Sequence, residues 1–143
     1  MWKKYFLLCL IILGLFNLPL YAGKRGSSAM GLKLSSPQLL SFSYTTYPYH
    51  FWLVQLEPGI GGGKVNVGIG GNWRYTIGLA YKASMIHTWI KPIGGIKSNQ
   101  TYLGSEFEIM WRGVNLTFGE YSHFAGNAPE RDVIVTVGLG IGF

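Results

Sequence analysis

Glu106 and Glu108 are two carboxylates at a spacing that could support acid–base chemistry. Side chains two positions apart on a strand share one face, so the two carboxylates could serve as acid and base in proton transfer. Cations that could pair with them occur in other segments: Lys33, Lys64, Arg74 and Lys82. We therefore expect a network of ion pairs and keep acid–base catalysis as the alternative.

Ser122 and His123 form a second candidate pair, because a serine nucleophile needs a base within hydrogen-bonding reach. Neighbouring residues on a strand face opposite sides, so a direct contact requires the strand to end or bulge there. The other histidines, His50 and His87, have no ligand-type residues near them. The glycine runs at residues 59–63 and 68–71 precede no predicted helix that could bind phosphate. We predict no metal and no cofactor.

Residues 133–143 alternate regularly. Each odd position carries a large apolar side chain, most even positions carry glycine or threonine, and the segment ends on Phe143. A strand with this pattern has one apolar face and one face of small groups. In lipid, an open strand would leave its backbone N–H and C=O groups unpaired, so the pattern predicts a closed barrel.

Similar alternation occurs eight times, in segments close to the roughly 9 to 11 residues that a tilted strand needs to cross a bilayer. The predicted strands are residues 28–36, 38–46, 50–57, 63–71, 74–86, 100–111, 113–122 and 131–143. An even number suits a closed barrel with both termini on one side. We predict an all-β fold: an eight-stranded antiparallel up-and-down transmembrane β-barrel, with residues 23–143 as a single domain.

The predicted connections alternate in length. Short turns are predicted at residues 47–49, 71–73 and 112–113. Longer loops are predicted at residues 58–62, 87–99 and 123–130. The first connection, around residues 36–37, is the exception, because it is tight where a longer loop is expected. Short periplasmic turns and longer outer loops are typical of bacterial barrels.

Aromatic side chains favour the membrane interface. Eight fall near the predicted periplasmic rim: Tyr44, Tyr47, Tyr49, Trp52, Trp73, Tyr75, Trp111 and Phe143.

The polar face of these strands would line the barrel interior. Its predicted charges are Lys33, Glu57, Lys64, Arg74, Lys82, Glu106 and Glu108. The interior of an eight-stranded barrel is only wide enough to be filled by side chains, and isolated charges there would be costly to desolvate. We expect a paired, hydrogen-bonded network that plugs the barrel. A narrow ion path with Glu106 and Glu108 as selectivity carboxylates is the alternative.

The N-terminal segment has the features of a secretory signal peptide, which we place at residues 1–22. Lys3 and Lys4 precede an apolar run whose uninterrupted part, residues 5–16, is shorter than the roughly 20 residues of a spanning helix. Cleavage after Ala22 would remove the single cysteine, Cys9, and lower the net charge from +6 to +4. The remaining basic residues form no run, so we expect no nucleic-acid partner.

Residues 119–127 resemble the end of the lipid A 3-O-deacylases, small eight-stranded outer-membrane esterases with a His-x-Ser-Asn motif. His123 matches the base, Ala125 stands at the position of the nucleophile, and Asn127 is a displaced asparagine. The resemblance implies an esterase with His123 as its base, but Ala125 has no hydroxyl to act as the nucleophile. We therefore predict no catalytic residues and keep Glu120, Ser122 and His123 as the alternative catalytic set. More broadly, residues 23–143 resemble small outer-membrane barrels closed by a C-terminal phenylalanine, which implies recognition of residues 133–143 by the barrel-assembly machinery.

From the sequence we predict a monomer in the bacterial outer membrane without a wide pore. It would act as a membrane-embedded scaffold or surface-binding protein through the loops at residues 87–99 and 123–130. Its partners would be outer-membrane lipid and lipopolysaccharide, whose phosphates could meet Lys91, Lys97 and Arg131. The alternative function is a lipid A esterase. A soluble barrel with an apolar ligand inside is a third possibility, but its large apolar face would have to fit a narrow lumen.

Overall fold

A computed structural model describes residues 21–22, 28–73, 77–90, 92–127 and 132–141, with only the backbone described at residues 21, 22, 72 and 73. No helix among these residues is long and apolar enough to cross a membrane. The described strands are β1 (Tyr21–Ala22), β2 (Ser28–Ser35), β3 (Leu39–Tyr49), β4 (Trp52–Pro58), β5 (Gly62–Trp73), β6 (Ile77–Thr88), β7 (Gln100–Trp111), β8 (Val114–Gly126) and β9 (Val133–Ile141).

Strands β2 to β9 form a closed barrel. Each strand pairs antiparallel with the strand that follows it, and β9 returns to pair with β2. The predicted eight-stranded antiparallel barrel is therefore confirmed. The two-residue β1, which comes from the end of the predicted signal segment, pairs with residues 71 and 72 of β5.

Alternating side chains divide the barrel wall into two faces. On β9, the odd positions are exposed and the even positions are buried. Large apolar side chains are exposed on every barrel strand, whereas most buried side chains in the described residues are polar or charged. The barrel therefore has an apolar outer wall and a largely polar interior.

The connections define two ends of the barrel. The described residues of the connections at one end, which we call the loop end, are 36–38, 59–61, 89–90, 92–99, 127 and 132. Residues 50–51 and 112–113 connect strands at the other, which we call the turn end. The turn at residues 112–113 lies where the sequence predicts it. Arg112 and Gly113 both have positive φ, 48° and 83°, as in the tight hairpin turns that suit the twist of paired strands.

Two predicted turns are wrong. Residues 47–49 belong to β3, and the turn follows at residues 50–51. The register between β3 and β4 shifts between Thr46 and Tyr49, and this irregularity accommodates Pro48, which has no N–H to donate. Residues 71–73 belong to β5 and pair with residues 77–79 of β6.

The predicted outer loops are also too long. Residues 59–61 are a three-residue connection, β6 continues through Thr88, and β8 continues through Gly126. The β7–β8 register shifts between Thr101 and Tyr102, opposite residues 123–125. Such a bulge adds a residue to one strand and shifts its alternation, so the regular alternation in the sequence of β8 ends before the strand ends.

Candidate functional site: a ring of ion pairs inside the barrel

Six charged side chains from five strands meet inside the barrel. They are Lys33 on β2, Glu57 on β4, Lys64 on β5, Lys82 on β6, and Glu106 and Glu108 on β7. Each side chain is at most 3% exposed. These six residues, which we call the ionic ring, are six of the seven interior charges predicted from the sequence. The seventh, Arg74, lies outside the described residues.

Each lysine of the ionic ring bridges two glutamates. Lys33 Nζ lies 2.7 Å from Glu57 Oε1 and 3.0 Å from Glu108 Oε2. Lys64 Nζ lies 3.0 Å from Glu57 Oε2 and 2.5 Å from Glu106 Oε2. Lys82 Nζ lies 2.6 Å from Glu106 Oε1 and also contacts Glu108. Positive and negative groups therefore alternate around a closed circuit with no formal net charge.

The strand registers position the ionic ring. Glu57 lies directly opposite Lys64 across β4 and β5, and Lys82 lies directly opposite Glu106 across β6 and β7. A glycine on β9 leaves space for Lys33, because a Cβ at Gly140 would come within 2.7 Å of its Cγ. A side chain at that position would force Asn115, whose Oδ1 lies 2.2 Å from the Cβ position, and Lys33 to shift.

Neutral polar side chains provide further partners for the ring. Gln55 Oε1 accepts hydrogen bonds from Lys82 Nζ at 2.7 Å and from Asn66 Nδ2 at 2.8 Å. Asn115 Nδ2 donates to Glu108 Oε1 at 2.7 Å, and the Tyr121 hydroxyl donates to Glu106 Oε2 at 3.1 Å. These contacts offset part of the cost of burying the charges.

A small apolar layer lies between the ionic ring and the loop end. It consists of the buried side chains of Ile86, Tyr102, Tyr121 and Ile134. Ile96, from the long connection between β6 and β7, packs against them. The same connection is tied across the loop end, because Ile93 N donates to Pro37 O at 3.1 Å and Thr88 Oγ1 donates to Lys97 O at 2.8 Å. Sequence reasoning missed this layer, although alternation along β7 and β8 could have placed both tyrosines inside.

The three glutamates also bear on metal binding and catalysis. Each offers a carboxylate oxygen, and these oxygens lie within 4.8 Å of one another. Every one of these carboxylates is already paired with two lysine ammonium groups, so a metal cation would have to compete with three buried positive charges. Glu106 and Glu108 do share a face, but both are held as acceptors in ion pairs.

The structure separates the residues of the esterase hypothesis. Glu120 and Ser122 are exposed on the outer face of β8. His123 is half-buried, with Nε2 at 3.0 Å from Gln100 Oε1 and its ring edge-on to Tyr102. Among the described residues, no hydrogen bond joins Ser122 to His123.

The predicted interface aromatics are only partly described. Trp52 and Trp111 are exposed on the outer wall close to the turn end, and Tyr44 is half-buried on the same wall. The side chains of Trp73, Tyr75 and Phe143 lie outside the described residues. Of the three loop cations, Lys97 is exposed, whereas Lys91 and Arg131 are outside the described ranges.

These features define a closed eight-stranded antiparallel β-barrel with an ionic interior. Comparison with protein-family models, with curated proteins and with solved structures finds no match to this chain.

Proposed function

We propose that this protein is a bacterial outer-membrane barrel without an open pore, which acts as a scaffold and contacts lipopolysaccharide or another surface ligand through its loop end. One observation carries the proposal. The buried charges are gathered into the ionic ring, while large apolar side chains are exposed on every barrel strand. A protein dissolved in water favours the opposite arrangement.

The outer wall supports the membrane part of the proposal. Single exposed apolar residues are ordinary on soluble proteins, but a belt of them around a whole barrel exceeds the patches that such proteins expose. Exposed members of the belt include Leu32, Val67, Leu116 and Val137, which belong to four different strands. Acyl chains would cover such a belt, and the closed ladder would leave no strand edge in the hydrocarbon.

The interior supports the absence of an open pore. The ionic ring crosses the lumen, because Lys33 of β2 pairs with Glu108 of β7, and the apolar layer with Ile96 lies between the ring and the loop end. An ion crossing the barrel would have to break buried ion pairs and then pass an apolar layer. This arrangement favours a filled scaffold over a conducting channel.

Cell fractionation tests the proposal. The full chain, with its N-terminal segment intact, should be recovered with the outer membrane and should resist carbonate extraction. Unheated protein should migrate differently from boiled protein on a gel, because a closed barrel keeps its shape in detergent until heated. Recovery as a carbonate-soluble protein with heat-insensitive mobility would exclude a membrane barrel.

Lipid A from the same cells separates the scaffold from the esterase. We expect identical lipid A mass spectra with and without the gene, because Ser122 and His123 face different sides of β8. Loss of one acyl chain only when the gene is present would support the esterase. A Ser122→Ala variant would then show whether that hydroxyl is the nucleophile.

A further inference from the structure

An apolar groove runs along the outer wall of the barrel over strands β3 to β6. Its volume is about 580 Å³, within the range of roughly 300 to 1,000 Å³ typical of small-molecule sites. Phe42, Leu56, Val65 and Met85 contribute to its walls, and Trp89 closes it at the loop end. Glu57 and Lys64 of the ionic ring also border the groove, but their side chains point into the barrel and are at most 2% exposed, so the outward apolar side chains form its surface.

Trp89 is fixed in place over the groove. Its indole Nε1 donates to the carbonyl oxygens of Gly59 at 3.1 Å and Ile60 at 3.0 Å. The ring itself lies against Gly63, where a Cβ would come within 2.4 Å of the indole Cη2. Only a residue without a side chain allows the indole to lie so close to the wall. The groove is therefore preformed by hydrogen bonding and packing.

The backbone around the groove argues against a peptide occupant. Leu56 is paired opposite Val65, and Val65 is paired opposite Met85, so the strands that form the floor already have partners on both sides. A peptide could not add to this sheet as an extra strand. Its own N–H and C=O groups would lose water against an apolar wall without gaining partners, which is costly.

A hydrocarbon chain has no such groups, and the groove is continuous with the exposed apolar belt. We propose that it binds one acyl chain of a membrane lipid. His87, with Nδ1 at 2.9 Å from Thr101 Oγ1, contributes a polar group to the lining, near Trp89. This inference rests on the proposed membrane location, because such a lipid must be present around the barrel.

Native mass spectrometry of the detergent-solubilised full protein tests this site, with palmitoyl lysophosphatidylcholine as the probe. We expect one lipid to be retained above the statistical distribution produced by the general apolar surface. Val65→Phe fills the groove and should weaken retention by about tenfold, the loss expected when about two methylene groups are kept out of an apolar site. Met85→Phe, at the position paired with Val65 on the neighbouring strand β6, should have the same effect.

Val137→Phe is the matched control, since it makes the same substitution at an exposed valine of β9, outside the groove. It should leave retention unchanged. Heat-dependent gel mobility shows which variants are folded, and Met85→Phe replaces Val65→Phe if the latter is not. Purely statistical binding to the unmodified protein, or equal retention in all folded variants, would refute acyl-chain binding in the groove. Neither result would bear on the outer-membrane location. Recovery of the protein in the soluble fraction instead refutes the proposed function.

Discussion

Replacing Lys64 with methionine removes one positive group from the ionic ring. Glu57 and Glu106 then remain buried with one lysine each, Lys33 at 2.7 Å and Lys82 at 2.6 Å, and the ring gains a net negative charge. Removing one partner of a buried ion pair typically costs about 3 to 5 kcal/mol. Because both glutamates keep a lysine, we expect a loss near the lower limit, about 3 kcal/mol.

The double variant Lys64→Met/Glu106→Gln separates the ion pair from the packing of the lysine chain. It restores a neutral ring of two lysines and two glutamates. The losses of unfolding free energy in the two single variants should therefore add up to about 2 kcal/mol more than the loss in the double variant. This coupling lies within the range measured for residues in contact. The amide oxygen of the Glu106→Gln variant can still accept from Lys82, and its NH2 group can donate to the Tyr121 hydroxyl oxygen.

Reversible urea unfolding in lipid vesicles, followed by tryptophan fluorescence in both directions, measures these free energies. Lys97→Met is the charge-matched control on the exposed long connection and should change stability by no more than about 0.5 kcal/mol. A loss below about 1 kcal/mol for Lys64→Met would be typical of an exposed ion pair and would refute a buried ring. Strict additivity of the two single variants would refute their coupling.

Three further predictions follow from other parts of the barrel. Gly104→Ala should cost about 1 to 3 kcal/mol of unfolding free energy in the same urea assay, because its Cβ would lie 2.0 Å from the carbonyl oxygen of Glu120; the neighbouring Ser105→Ala is the control. Arg112→Asn should change the unfolding free energy by no more than about 0.5 kcal/mol, because asparagine tolerates the positive φ of the 112–113 turn but the cation–π contact of Arg112 with Trp111 is lost; a loss above about 2 kcal/mol would contradict this balance. Protein reconstituted in planar bilayers should give no single-channel steps, and sustained conductance that appears only with folded protein would contradict a filled lumen.

Alternation made the barrel wall and the interior charges predictable. The alternation of side chains between two faces is set within each strand. The sequence alone therefore indicates that Lys33 and Glu106 share the polar face while Val137 faces outward. The pairing between these charges was not predictable, because it depends on registers between separate strands. Glu57 meets Lys64 only because Leu56 and Val65 are opposite each other in the neighbouring pair.

Strand ends were predicted less well than strand centres, for identifiable reasons. Pro48 was interpreted as part of a turn, whereas β3 accommodates it at an irregularity and continues to Tyr49. The bulge opposite Thr101 interrupts the alternation of β8 near His123, although the strand continues. The position of Trp89 depends on the carbonyl groups of a distant turn, which no local pattern can indicate.

We propose that the outer wall contacts hydrocarbon while the alternate side chains fill the barrel. Nitroxide labels on single cysteines at Val137 and at Thr136, in the protein reconstituted into bilayers, test it by electron paramagnetic resonance. The label at residue 137 should collide with dissolved oxygen more than with a water-soluble nickel complex, and the label at residue 136 should be shielded from both. Free access of the nickel complex to residue 137 would contradict the account.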